Sequence, residues 1–90
     1  SQVFTAVVRD DKRSSHPLPD MALRENDVLV LQGDPDALER VVARANLALA
    51  RQDRPPETDE PGEEVAVIEA IVGADSLLVG RTVEAVRLYQ

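Results

Sequence analysis

The sequence predicts a small α+β domain, a sheet carrying packed helices, and three observations lead there. Short apolar runs rich in β-branched residues recur at positions 3–8, 28–31 and 65–72, each ended by a polar or glycine-containing turn. Between the second and third runs, Leu38, Val41, Val42, Ala45 and Leu49 fall at helical spacing, with Glu39, Arg40 and Arg44 on the opposite face. Ninety residues hold one small domain and not two.

The first run, Val3-Phe4-Thr5-Ala6-Val7-Val8, is apolar on both parities, as in an interior strand covered on both faces. Arg9-Asp10-Asp11-Lys12-Arg13 then reads as a solvated hairpin turn, with Arg9, Lys12 and Arg13 as the alternative rim of an anion site. Pro17 and Pro19 fix an extended, irregular edge segment, and His16 precedes it as a loop histidine without a metal-ligating partner at useful spacing. Met21 and Leu23 are small core plugs, and Asn26-Asp27 favours a turn. Val28-Leu29-Val30-Leu31 is the buried central strand on which the rest is built. After Gly33, Asp34 offers its carboxylate to free helix amides, Pro35 sits where a missing N–H is harmless, and Asp36 complements the positive helix end.

Residues 51–64, with Pro55-Pro56, Pro61-Gly62 and six carboxylates, hold almost no apolar residue and read as an acidic, proline-rich linker. A strand restarts at Val65 and ends at Gly73-Ala74-Asp75-Ser76. Leu77 to Gly80 form an irregular apolar loop that turns helical near Thr82, whose hydroxyl caps the free amides while Glu84 lies in the first turn. Val83, Val86 and Leu88 are expected to face the core.

The net charge of −7 is concentrated in the middle segment, and no basic stripe exists for nucleic acid. Only Phe4 and Tyr89 are aromatic, so base-stacking platforms are missing too. Without cysteine and with one histidine, disulfides, thiolate metal sites, histidine clusters and catalytic triads have no residues to build them. Gly80-Arg81-Thr82 lacks the upstream glycine and the lysine of a phosphate-binding P-loop. The carboxylates gather in the linker rather than in a rigid cleft, which disfavours paired acid/base chemistry. A non-catalytic chain is expected, without a membrane span or signal-like leader.

Two patterns narrow the expectation. Ser76-Leu77-Leu78-Val79-Gly80-Arg81-Thr82-Val83-Glu84-Ala85-Val86 follows Ser-x-Leu-x-Gly-(Lys/Arg)-(Thr/Ser)-Leu-x-Glu-Leu, with Val83 for leucine and Ala85-Val86 at the closing pair. Thr5-Ala6-Val7-Val8-Arg9, Pro17-Leu18-Pro19-Asp20 and Leu23-Arg24-Glu25-Asn26-Asp27-Val28-Leu29-Val30-Leu31-Gln32-Gly33, then Asp36-Ala37-Leu38-Glu39, follow a second. Its form is a strand Val-x-Ala-Val-x-Arg, then Pro-x-Pro-Asp, Leu-x-x-Gly-Asp-x-Leu-x-Leu-x-Gly and a helix. Together they resemble the C-terminal RCK module, or TrkA-C domain, of potassium channels and transporters and of sodium/sulfate-dicarboxylate-type anion permeases. Asn26 replaces the usual turn glycine, which a left-handed conformation tolerates.

In that family the pattern found here at 76–86 precedes the pattern found at 5–39; here it follows. The resemblance therefore implies a piece of a longer protein with two modules in tandem: residues 1–50 as the back half of one, 51–64 as linker, and 65–90 as the front half of the next. The implied fold is a two-layer sandwich of a mostly antiparallel sheet with helices packed on it, its halves in permuted order. Fourteen linker residues at up to about 3.3–3.6 Å each would let the halves complete each other within one chain. Exchange of halves between chains would instead give a swapped dimer.

Some form of dimer is expected for so small a domain. The implied role is a non-catalytic regulatory domain on the cytoplasmic side of the cell membrane, a soluble part of an integral membrane protein. Its partners would be a second copy and the transmembrane transport domain of the same full-length protein, and it would be linked to potassium, other cation or anion transport. Some relatives bind cyclic dinucleotides between paired modules, and the matching positions here are Ile71, Ser76, Arg81, His16 and Pro17. Of these Arg81 could reach a phosphate, its plain alternative being a surface arginine at a helix start. The alternatives to a sensor are a purely structural dimerisation module and a ferredoxin-like amino-acid-binding regulatory domain, which requires a βαββαβ order in the native gene.

Overall fold

The computed structural model describes residues 3–53 and 65–90. Strands β1 (Phe4–Arg9), β2 (Lys12–Ser14), β3 (Val28–Gly33), β4 (Ala48–Asp53) and β5 (Ala66–Ile71) form one sheet in the order β2-β1-β3-β5-β4. Every neighbouring pair is antiparallel. Helix α1 (Pro35–Ala45) and a C-terminal 3-10 helix, η1 (Val83–Tyr89), pack on one face of it. The α+β, sheet-plus-helix architecture expected from the sequence is the one formed.

The charge run after β1 makes a tighter turn than its length suggests. Asp10 and Asp11 both adopt positive φ, 52° and 64°, and Arg9 already faces Lys12 across the hairpin. Two left-handed residues give a turn whose twist matches that of the flanking strands, and aspartate tolerates the conformation. Arg9 and Lys12 therefore belong to strands and not to the loop.

Val28–Gly33 occupies the middle of the sheet, as its aliphatic run requires, paired with β1 on one side and β5 on the other. Asp34 caps α1 through a 3.2 Å bond from the Asp36 amide, with Pro35 in the first turn. The helix ends sooner than its periodicity suggests. Asn46 turns left-handed at φ 56°, and its N–H bonds the Val42 carbonyl. Leu49, expected on the helix, lies in β4 and is half exposed.

Strand β4 also overturns the expected start of the linker, since Arg51, Gln52 and Asp53 close that strand. The second edge of β5 presents unpaired amides and carbonyls, and pairing with them outweighs the low apolar content of these residues. Residues 54–64 of the expected linker lie outside the described residues.

Residues 65–90 are joined to residues 3–53 chiefly at four places. Strand β5 lies between β3 and β4. The turn at Asn26, φ 75°, exchanges bonds with Val72: the Asn26 amide to the Val72 carbonyl at 2.7 Å and the Val72 amide to the Asp27 carbonyl at 2.9 Å. Segments 19–23 and 80–84 form a short ladder, in which the Leu23, Gly80, Val83 and Glu84 amides donate to the Arg81, Leu23, Met21 and Pro19 carbonyls. Gly80 reaches it at φ 80°, a conformation that suits glycine at this motif position. The Leu77 amide and the Ser76 hydroxyl bond the Ala45 carbonyl at the end of α1, at 3.0 and 2.7 Å. Residues 3–53 and 65–90 thus share one sheet and one core within one chain.

The core lies on the helix side of the sheet. Val7, Leu29, Leu31, Ile68 and Ala70 project there onto Leu38, Val41, Leu78 and Val86, all nearly solvent-free. Burying each larger aliphatic contributes about 1.5–3 kcal/mol. Leu23 is fully buried and Met21 packs partly against the cluster, as expected of plugs. In η1, Val86 is buried and Val83 partly so, but Leu88 is 77% exposed and Tyr89 packs inward in its place. The tighter winding of a 3-10 helix moves the inward stripe away from position 88. Strand β1 is covered on both faces at its middle, as expected: Val7 faces the helices and Ala6 the other side, both nearly solvent-free, though Ala6 and Val30 stand apart from the core cluster.

Candidate functional site

Two of the five expected ligand residues meet at one place. His16 and Pro17 line a shallow depression of about 590 Å3 with Val3, Thr5, Pro19 and, from η1, Val83, Glu84 and Arg87. It forms because the Pro17–Pro19 segment stays extended and is tied to the start of η1 by the Glu84 amide bond to the Pro19 carbonyl at 3.0 Å. Thr82 supports that helix start, its hydroxyl accepting from the Ala85 amide at 3.3 Å. The expected Thr82 cap and the first-turn Glu84 are both present.

Arg81 stands two residues before Val83 of this rim, with its side chain exposed. Its backbone is occupied on both sides, the amide by the Leu78 carbonyl at 2.9 Å and the carbonyl by the Leu23 amide at 2.7 Å. A fixed backbone and an exposed guanidinium suit an anion contact. Across η1, Arg87 pairs with Glu84 at 3.4 Å, both side chains being largely solvated. A ligand entering the depression would therefore meet His16, Arg87 and the Glu84 carboxylate. An anion would have to draw Arg87 away from Glu84.

Ser76 and Ile71 do not belong to this place. Ser76 is buried, its hydroxyl donating to the Ala45 carbonyl and accepting from the Leu78 amide at 3.1 Å. That hydroxyl holds the loop against α1, and its proton is already used. Ile71 ends β5 beside Val28 and Ala48, on the sheet face away from the helices.

The sequence alone did not single out Arg9, Asp27 or Arg87 for these positions. Asp27 is 2% exposed and holds Arg9, which removes Arg9 from any anion-binding rim. A lone carboxylate immediately before an aliphatic strand was the available signal, because burying it requires a cationic partner. Burial alone would push the Asp27 carboxyl up, but hydrogen bonds from the Arg9 side chain and the Arg24 amide outweigh it and hold it below the usual carboxylate value. Glu84 was legible as the first-turn acid, but its pairing with Arg87 shows in the sequence only as helical spacing, which is common to solvated faces.

Among the described residues no group of three histidine, cysteine, aspartate or glutamate side chains is placed to hold a metal ion. No described helix is long and apolar enough to cross a membrane. Comparison with protein-family models, with curated proteins and with solved structures found no match to this chain.

Proposed function

We propose that the chain is a non-catalytic regulatory module of the TrkA-C kind. It would serve on the cytoplasmic side of a membrane transporter or anion permease, pair with a second copy, and take a small anionic ligand beside η1. The observation that supports this reading best is the completion of residues 3–53 by residues 65–90, with β5 between β3 and β4. That is the relation the tandem, permuted-half reading requires. The ladder between segments 19–23 and 80–84 adds to it, because it joins the two stretches that carry the resemblance.

The ligand class that fits the depression is a phosphate-bearing one. His16 and Arg87 supply donors at its wall, with Arg81 two residues before Val83 in the chain, and Pro17, Pro19 and Val83 supply an apolar wall for a flat ring system. Titration calorimetry with cyclic dinucleotides, with a linear dinucleotide as control, tests this directly. Saturable heat that is lost in Arg81→Ala and His16→Ala is expected; no heat at millimolar ligand overturns the sensor reading.

A second reading, a purely structural pairing module, draws support from Ser76 and Ile71. Two of the five expected contacts are committed elsewhere in the fold, and a chain that pairs but takes no nucleotide would be this module.

A further inference from the structure

The depression beside η1 is walled by the first and the last elements of the described chain. Val3 leads into β1 and Thr5 lies in it, while Val83, Glu84 and Arg87 belong to η1. The same two elements also touch beside the depression, at residues 3 and 90. The Val3 amide donates to Gln90 Oε1 at 3.2 Å, and Arg44, in the last turn of α1, donates to the Gln90 carbonyl at 3.4 Å.

These contacts close a ring. Arg87 lines the depression and its carbonyl accepts from the Gln90 amide at 3.4 Å; the Gln90 side chain accepts from Val3; and Val3 lines the depression again. Gln90 itself is not among the lining residues. Neighbouring chain ends are common in small domains. What distinguishes this pair is that a ligand-sized depression lies between the elements to which the ends belong.

The ring is fastened unevenly. On one side β1 is paired with β3 from Phe4 onward. On the other, the Val83 and Glu84 amides bond the Met21 and Pro19 carbonyls at 2.9 and 3.0 Å, and Val86 and Tyr89 pack inward. The junction at Gln90 has only the longer bonds, one part-buried and one exposed, and such bonds contribute little each. It is the part of the ring that opens most easily.

We infer that occupancy of the depression and the closeness of Val3 to Gln90 are linked: a ligand touching both walls draws the start of β1 and the end of η1 together, and separating those ends releases it. This names the regulation of the site proposed above and rests on that sensor reading. A ligand that contacts both walls stabilises only the arrangement in which they stand at binding distance, so it favours the closed junction. By linkage, whatever holds the junction closed raises ligand affinity by the same factor. In the longer protein that the tandem reading requires, segments joined to these two ends would feel the ligand as a change in the spacing of their anchor points.

The test is calorimetric titration of cyclic dinucleotides into three forms of the 90-residue chain. One is the linear chain. In the second, residue 90 is joined to residue 1 by a short glycine-serine linker that keeps the ends close; in the third, by a stiff helical spacer of about 20 residues, about 30 Å long, that holds them apart. Affinity should fall in the order closed, linear, spread, by about tenfold or more between the extremes, and proteolytic cutting of the spacer should return it to the linear value. Should the spread form lack a cooperative thermal transition, Gln90→Ala takes its place, since it removes the acceptor of the Val3 amide without touching the lining. It should weaken binding about threefold in the linear chain, and glycine-serine closure should restore it, a rescue that a merely structural role would not give. Equal affinities in all forms, or a Gln90→Ala loss that closure leaves in place, overturn this inference and spare the sensor reading. No heat in any form overturns the sensor reading and this inference with it.

Discussion

The Arg9 guanidinium holds both oxygens of the Asp27 carboxylate, Nε to Oδ1 at 2.8 Å and Nη2 to Oδ2 at 2.7 Å. Asp27 also accepts from the Arg24 amide at 2.8 Å, and Arg9 also donates to the Ala22 carbonyl at 2.9 Å. One ion pair therefore joins the end of β1 to the turn that starts β3. That turn in turn holds Val72 and the end of β5.

Removing one partner of this pair is expected to be costly, because the survivor is a charge that water reaches poorly. Arg9→Ala takes the guanidinium from a carboxylate that is 2% exposed in the intact pair and should lower unfolding free energy by about 2 kcal/mol, less than for a fully buried pair because Arg9 itself touches solvent and its removal lets water reach Asp27. Urea unfolding measures it; a loss below about 1 kcal/mol would mean that the pair behaves as a surface salt bridge.

The same pair sets an acid limit. The Asp27 carboxyl lies below its ordinary value, which is about 3.9 in the unfolded chain, so its stabilising contribution is complete above that value. It fades as pH falls through the lower folded value, where the native state must take up the proton. In Arg9→Ala the burial effect is left without its strongest opponent, so the folded carboxyl moves back toward the unfolded value and this group adds less to the slope. The stability gap between wild type and variant should therefore narrow as pH drops below about 4. Paired urea titrations from neutral pH downward test this, and a gap independent of pH would contradict it.

Much of this architecture was legible in short signals. Val28 to Leu31 announced a central strand, Asp34-Pro35-Asp36 announced a helix start, and Thr82 with Glu84 announced another, because each depends on neighbours within one turn. What was hidden depends on distant partners. Strand β4 has six exposed residues and little strand character, and it exists because β5 has an edge to fill. Leu49 continued the helical period past Asn46, whose left-handed turn ended the helix first. In the candidate site His16 and Pro17 share a depression, whereas Ser76 could be recognised as a loop fastener only once Ala45 was seen beside it.

Ser76→Ala tests that distinction. The Leu78 amide loses its buried acceptor, while the Ala45 carbonyl keeps the Leu77 amide, so the cost should be about 1–2 kcal/mol. If a nucleotide binds, its affinity should stay close to wild type in this variant. A large affinity loss with unchanged stability would return Ser76 to the binding site.

Asn26 offers a backbone test, since its φ of 75° is strained for any residue with a Cβ. Asparagine tolerates the conformation better than alanine does. Asn26→Ala should cost about 1 kcal/mol, while Asn26→Gly, which restores the residue expected by the resemblance, should remain near wild type. Thermal unfolding of the three proteins gives the order, and equal stability of the alanine and glycine forms would contradict it.

Severing the chain between Glu57 and Thr58 probes the dependence of the two parts on each other. Residues 1–57 would retain β3 and β4 but not β5, the strand that lies between them, so neither would have its partner across that gap. Leu29, Leu31, Leu38 and Val41 would also lose Ile68, Ala70, Leu78 and Val86 from the shared core. Neither peptide should show a cooperative thermal transition alone, and an equimolar mixture should recover one at a concentration-dependent temperature, because assembly is then bimolecular. Cooperative unfolding of residues 1–57 by themselves would mean that the C-terminal part is an accessory and not half of the domain.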